Sequence, residues 1–237
     1  MYKLIILLLI SNTLFAQDNE PEKSKWSGSK GYFGFSSTRG NSNTDNITAG
    51  LKLKMDSNKW LSTMSLDIIF ATSDDIDTAE RYVLASTTGY KLDNNDYLFY
   101  GSRYEQDKFS AFDYTMTSNV GWGHKFYNKK DNKLVTEIGV GYRTEAFDID
   151  RRKNTGLALT GKLDYLRKIT QTTKFVDTLF FEATSDNTYI QNDIGVSVMV
   201  SAQLHLNLVY QTKYNSTVPS NFNNTDTLFS LNLAYTF

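Results

Sequence analysis

From residue 31 onward, apolar and polar side chains alternate along the chain in short runs. Residues 60–70 set Trp60, Ser62, Met64, Leu66, Ile68 and Phe70 on one side and Thr63, Ser65 and Asp67 on the other. The same split recurs. Ile47, Ala49, Leu51, Leu53 and Met55 oppose Thr48, Lys52 and Lys54, and Leu134, Ile138, Val140 and Tyr142 oppose Glu137, Arg143 and Glu145. Ile194, Val196, Val198 and Val200 oppose Asp193, Ser197 and Ser201, and Leu204, Leu206, Leu208 and Tyr210 oppose His205, Asn207, Gln211 and Lys213. A period of two is that of a strand with one apolar face. The pattern predicts an all-β chain of about twelve strands. They begin near Gly31, Asn46, Trp60, Arg81, Tyr97, Asp113, Leu134, Leu157, Phe175, Tyr189, Leu204 and Thr227. Dividing the segment from Tyr189 to Tyr214 differently reduces the count to about ten. No stretch keeps an apolar helical period over three turns.

The connections alternate too. Those after even-numbered strands are tight: "DSNK", "DNND", "NKKDN", "TQTT" and the Ala202–Gln203 corner. Those after odd-numbered strands are mostly longer: "TRGNSNTD", "TSDDIDTAE", "DKFSAF", "FDIDRRKNTG" and "NSTVPSNFNNTD", with "TSDNT" as the short one. Short turns at one end and longer loops at the other are the habit of outer-membrane barrels. A soluble sandwich would turn the apolar faces inward and the charges to water, whereas a membrane barrel does the reverse. Periodicity alone does not separate the two.

The first residues favour the membrane. "MYKLIILLLISNTLFAQD" has one Lys, an apolar run and Ala16 before polar Gln17, the pattern of a secretory signal peptide cleaved after Ala16. The predicted organisation is a signal over 1–16, a polar lead-in over 17–30 and a barrel over 31–237, placed in a bacterial outer membrane. Aromatic residues at strand ends, namely Trp60, Tyr90, Tyr97, Trp122, Phe126, Tyr165, Phe175, Tyr235 and Phe237, fit interfacial girdles. Fifteen Tyr and fifteen Phe in 237 residues supply them. Mean hydropathy is negative, which a barrel with a polar interior and polar loops tolerates. With 25 basic and 26 acidic residues the net charge is −1, and nothing points to nucleic acid. The absence of Cys removes disulfides, thiolate metal sites and Cys nucleophiles.

The chain ends on "FSLNLAYTF". Phe229, Leu231, Leu233, Tyr235 and Phe237 share one face. This ending resembles the signal read by the outer-membrane barrel assembly machinery, which makes that machinery and outer-membrane lipids the expected partners of a monomeric barrel. Further stretches carry a wider resemblance: "GFSSTRGNSNTDN" at 34–46, "TAERY" at 78–82, "YLFYGSRYEQDKFSAFDYTMTSNVGWGHKF" at 97–126, "GVGYR" at 139–143 and "VPSNFNNTDTLFSLNLAYTF" at the end. Together they resemble the domain-of-unknown-function 481 family, also called salt-induced outer-membrane proteins. His124 stands where that family's Gly-aromatic-Gly-aromatic stretch has an aromatic residue. The resemblance implies an outer-membrane β-barrel and no catalytic residues.

Chemistry-bearing candidates are few. "GNSNTD" suits turn formation. Asp74, Asp75, Asp77 and Glu80 read as a solvated external loop, because the segment lacks the calcium-loop rhythm and its turn glycine. "DIDRRKN" carries both signs, fit for self-pairing or for bridging lipid phosphates. The polar face collects Lys52, Lys54, Asp67, Arg81, Arg103, Glu105, Glu137, Arg143, Glu145, Lys162, Asp164, Glu182, Asp193 and Lys213. Facing one another across a narrow lumen, opposite charges are expected to pair, since unpaired desolvated charges are costly. The balanced signs predict a narrow or closed lumen with little ion preference. No cofactor is implied. A lipid hydrolase is the competing class. The two histidines, His124 at the short-turn rim and inward His205 at the same end, are misplaced for a Ser–His pair facing the outer leaflet.

Overall fold

The computed structural model describes residues 28–39, 44–73, 76–108, 110–147, 152–220 and 222–237. The predicted signal over 1–16 and the lead-in up to residue 27 lie outside the described residues. Twelve strands follow: β1 (Lys30–Arg39), β2 (Thr44–Asp56), β3 (Trp60–Ser73), β4 (Ile76–Lys91), β5 (Asp96–Asp107), β6 (Phe112–Lys129), β7 (Asn132–Phe147), β8 (Lys153–Lys168), β9 (Thr173–Ala183), β10 (Thr188–Met199), β11 (Leu204–Asn215) and β12 (Thr225–Thr236). Each pairs antiparallel with its chain neighbours, and β12 pairs with β1 from Lys30↔Thr236 to Arg39↔Thr227. The result is a closed up-and-down barrel. The seam is extended by a hydrogen bond of 3.0 Å from the Phe237 amide to the Ser29 carbonyl.

Several strands outrun their sequence pattern. β4 starts at Ile76 and not near Arg81, and β8 starts at Lys153 and not near Leu157. Ladder hydrogen bonds join backbones, so polar residues continue a hairpin after the apolar alternation fades. Asp77 and Glu80 therefore belong to β4 and not to a loop, while Asp74 and Asp75 lie outside the described residues. The contrast between long and short connections becomes mainly one of strand extension. Only residues 74–75 separate β3 from β4, and the longest connection is 216–224, between β11 and β12. The tight turns use side-chain caps. In the β4–β5 turn the amides of Asp96 and Asn95 donate to the Asp93 carboxylate at 2.7 Å and hold its pKa below the usual range.

Inside and outside follow residue parity. The outward row includes Phe33, Ile47, Met64, Leu84, Val120, Ile138, Val140, Leu157, Leu208 and Leu231, all exposed. A soluble monomer does not present an apolar band on every strand, so the fold is that of a transmembrane barrel. Outward Trp60 and Tyr90 meet edge to face at 5.1 Å, and Tyr165 and Phe175 at 6.2 Å, at the short-turn end. A second outward aromatic set that includes Phe70, Tyr82, Tyr104 and Tyr142 lies toward the other end, with Phe70 and Tyr82 5.6 Å apart. The two sets bound the band as girdles do. Tyr97 is a correction. It is 2% exposed, points inward and donates to Glu137 at 2.7 Å. Asp177 interrupts the outer belt; its carboxylate accepts a 2.8 Å hydrogen bond from the Asn192 amide on the adjacent strand.

Val198 lies one residue from the end of β10, so it sits at the edge of the belt, whereas Val140 is midway along β7 and 59% exposed. Val140→Arg should cost about 2–4 kcal/mol and Val198→Arg about 0–1 kcal/mol. Equilibrium refolding into lipid vesicles across a urea series measures both.

Candidate functional site

The half of the lumen away from the short turns is filled by an ion-pair network. Glu105, third from the end of β5, is its hub. Its Oε1 accepts from Arg81 Nε at 2.8 Å and from Lys213 Nζ at 2.6 Å, and its Oε2 accepts from Arg103 Nη2 at 2.5 Å. β5 and β11 stand on opposite walls of the barrel, so the Lys213–Glu105 contact spans the lumen. Arg81 on β4 also reaches Gln211 on β11 at 3.1 Å, and Arg103 reaches Gln191 on β10 at 3.4 Å. A second knot surrounds Arg143, which is 3% exposed. It bonds Glu145 at 2.9 Å and also Glu182, and it lies 5.2 Å from the centre of the Tyr189 ring. Asn187, buried in the β9–β10 connection, donates to Glu145 at 2.8 Å and to Asn215 at 3.0 Å. The Thr217 amide donates to its side-chain oxygen at 3.2 Å. The longest connection is thereby tied over the network.

Toward the short turns the wall changes character. Tyr97 and Phe99 lie flat against it, packed with Val135 and Leu61. The space they occupy exists because inward positions on neighbouring strands are glycine. A Cβ on Gly123 would stand 2.2 Å from the Tyr97 ring, and one on Gly121 would stand 2.8 Å from the Phe99 ring. Glu137 takes the Tyr97 hydroxyl, while Asp164 accepts from Lys162 at 2.7 Å and from Thr178 at 3.0 Å. Asp67 takes the Tyr32 hydroxyl.

The structure thus places Arg103, Glu105, Arg143 and Glu145 in the constriction, and Glu137, Lys162 and Asp164 on the inner wall nearer the short turns. Phe229, Leu231, Leu233, Tyr235 and Phe237 form an outward row on the closing strand, each exposed. Sequence reasoning placed Gln211 on the polar face but missed Tyr32, Asn187, Tyr189 and Gln191, which with it complete the polar contacts. Inward parity could have found all but Asn187, which lies in a connection. His124 faces outward, hydrogen-bonded to Asp96 at 2.8 Å and stacked with Trp122, and inward His205 has a buried Nδ1 without a partner. Among the described residues no group of three His, Asp or Glu is arranged to hold a metal ion.

The family model described as "Protein of unknown function, DUF481" matches residues 31–237. The chain belongs to the DUF481 family. No curated protein matches it. Among solved structures, this DUF481 chain is similar to the NanC porin at 12% identity, with 87% of this chain and 100% of the other covered and a TM-score of 0.58. It is similar to an outer membrane channel from Pseudomonas putida F1 at 8% identity, covering 92% and 100%, with a TM-score of 0.53. The translocator domain of the autotransporter NalP from Neisseria meningitidis matches at 11% identity, covering 91% and 90%, with a TM-score of 0.52. At such identities the likeness is one of fold, that of outer-membrane barrels.

Arg143→Ala leaves Glu145 and Glu182 facing each other without their cation. Removing one partner of a buried pair costs about 3–5 kcal/mol, so the urea midpoint of the DUF481 barrel should fall by that equivalent. Gly123→Val forces the Tyr97 ring off the wall at about 1–3 kcal/mol, read in the same unfolding series.

Proposed function

We propose that the protein is a monomeric outer-membrane barrel whose lumen is held nearly shut, a low-conductance pathway for ions and small solutes. The observation that carries this reading is the Lys213–Glu105 contact at 2.6 Å between opposite walls, reinforced by Arg81 and Arg103. Eight-stranded barrels are filled by side chains and sixteen-stranded ones hold a channel, so in a barrel of intermediate size the residues at the waist decide. The likeness to porins and channels agrees with a transport role. In this reading the short turns and both termini face the periplasm, export uses the segment over 1–16, and the family resemblance supplies a link to salt or osmotic stress. A second reading has its own support. The Asn187–Thr217 tie closes the far end of the network, as befits a barrel that binds a ligand or braces the envelope without transport. No hydroxyl partners His124 in the contact described above, so hydrolysis is not proposed.

Single-channel recording in planar bilayers tests the pore. The unmodified protein should show small conductance. Glu105→Gln removes the anion that holds three cations together and should raise the conductance several-fold, as should Arg143→Ala. A porin-sized conductance in the unmodified protein refutes the shut lumen, and silence in all three forms favours the closed barrel.

The terminal row is proposed as the assembly signal. Deleting Phe237, or replacing it with Ser, should lower the amount of protein in the outer membrane and send the remainder to periplasmic degradation. Heat-modifiable mobility on SDS gels of membrane fractions reads the folded share, and unchanged levels would count against the signal.

A further inference from the structure

The signs of the interior charges balance in total but not by level. Near the short turns the charged inward side chains are mostly lysine, among them Lys30 at the start of β1, Lys52 and Lys54 near the end of β2, Lys125 on β6, Lys133 on β7 and Lys174 on β9. Among the described residues, none of these six ammonium groups lies within 4.0 Å of a carboxylate oxygen. The carboxylates at this level are engaged elsewhere. Asp67 takes the Tyr32 hydroxyl, Glu137 the Tyr97 hydroxyl, and Asp164 Lys162 and Thr178. The lysines lie within electrostatic range of one another as well as of these carboxylates. Lys54 is near Lys52, Lys133 and Lys30, with Asp164 as its acidic counterweight, and Lys52 is near Lys162 and Lys30, with Asp164 and Asp67 offsetting them. Lys133 and Lys162 stand on β7 and β8, across the lumen from β2.

Like charges facing across a low-dielectric tube repel strongly unless something lies between them. Such a mouth focuses its field and concentrates anions. The network around Glu105 narrows the way onward, so an anion entering from the short-turn end is held among ammonium donors. Ammonium groups bind oxyanions as mobile point charges. We propose that the short-turn half of the lumen is a vestibule that binds small oxyanions, carboxylates or phosphates carrying two or more negative charges. This goes beyond the pore reading and does not need the lumen to conduct.

Isothermal titration of the full protein in nanodiscs of uncharged lipid tests it, with citrate and inorganic phosphate as probes and glucose as the neutral control. Saturable binding of citrate or phosphate is expected at low salt, weakening at least 10-fold at high salt, with none for glucose. The double variant Lys52→Gln/Lys54→Gln should bind at least 10-fold more weakly. Lys133→Gln, on the opposite wall, provides an independent second variant. Lys153→Gln, at the other end of the barrel, should leave the affinity unchanged. Heat-modifiable gel mobility certifies that each variant is folded. Absence of saturable binding by the unmodified protein overturns the proposal. So does undiminished binding by the folded Lys52/Lys54 variant or, should that variant not fold, by Lys133→Gln. Conductance is not an arm of this test, so failure of the pore reading leaves its outcome distinct.

Discussion

The pairing of β12 with β1 is the constraint on which the rest of the molecule depends. Inside hydrocarbon a backbone amide or carbonyl has no water to fall back on, and strands satisfy theirs completely only when the sheet has no edge. Ten residue pairs across the seam remove that edge. They also hold the last strand in register with the first, so that its Phe, Leu and Tyr side chains face outward with the others. The apolar belt and its aromatic borders are continuous because the hydrogen-bonded ring is continuous.

Closure also creates an inside, and the inside sets the electrostatics. Charges projecting into a confined space lose much of their hydration, so they survive as pairs or where solvent still reaches them. The half around Glu105 and Arg143 takes the first course. There, guanidinium and ammonium groups from one wall meet carboxylates from another, and amides of Gln191, Gln211 and Asn187 bridge between them. The lysine-rich half takes the second course. The aromatic pair Tyr97 and Phe99 lies over the glycines of that half, with the Lys125 ammonium 5.7 Å from the centre of the Tyr97 ring.

Parity was legible in the chain, and height was not. Alternation told which side chains face the same way, so the outward rows and the inward charges could be read directly. Nothing in a period of two says how far along the barrel a residue stands. Val198 therefore reads no differently from Val140 until β10 is seen to end beside it. Tyr97, near a strand end, passes for a girdle residue until its ring is seen on the inner wall. Strand starts at Ile76 and Lys153 were hidden because ladder pairing outlasts apolar patterning. The same blindness to height made the interior charges look evenly mixed. The Glu105–Lys213 contact joins residues more than a hundred positions apart, and only the stagger of the closed sheet decides which strands face each other. The "GWG" repeat carried an unread message, since Gly121 and Gly123 mark where the Phe99 and Tyr97 rings lie against the wall.

One carboxylate serving three cations has a consequence for how this sequence can change over time. Losing Glu105 takes the short carboxylate contact from Arg81, Arg103 and Lys213 together, leaving Asp107 at 3.9 Å for Lys213 and glutamine amides for the two arginines, while losing any one of those three leaves the carboxylate with two partners. The cationic members can therefore drift one at a time, but the acidic member can be replaced only after, or along with, most of its partners. The waist of the barrel should thus evolve asymmetrically, with basic positions varying between lineages around a nearly fixed glutamate.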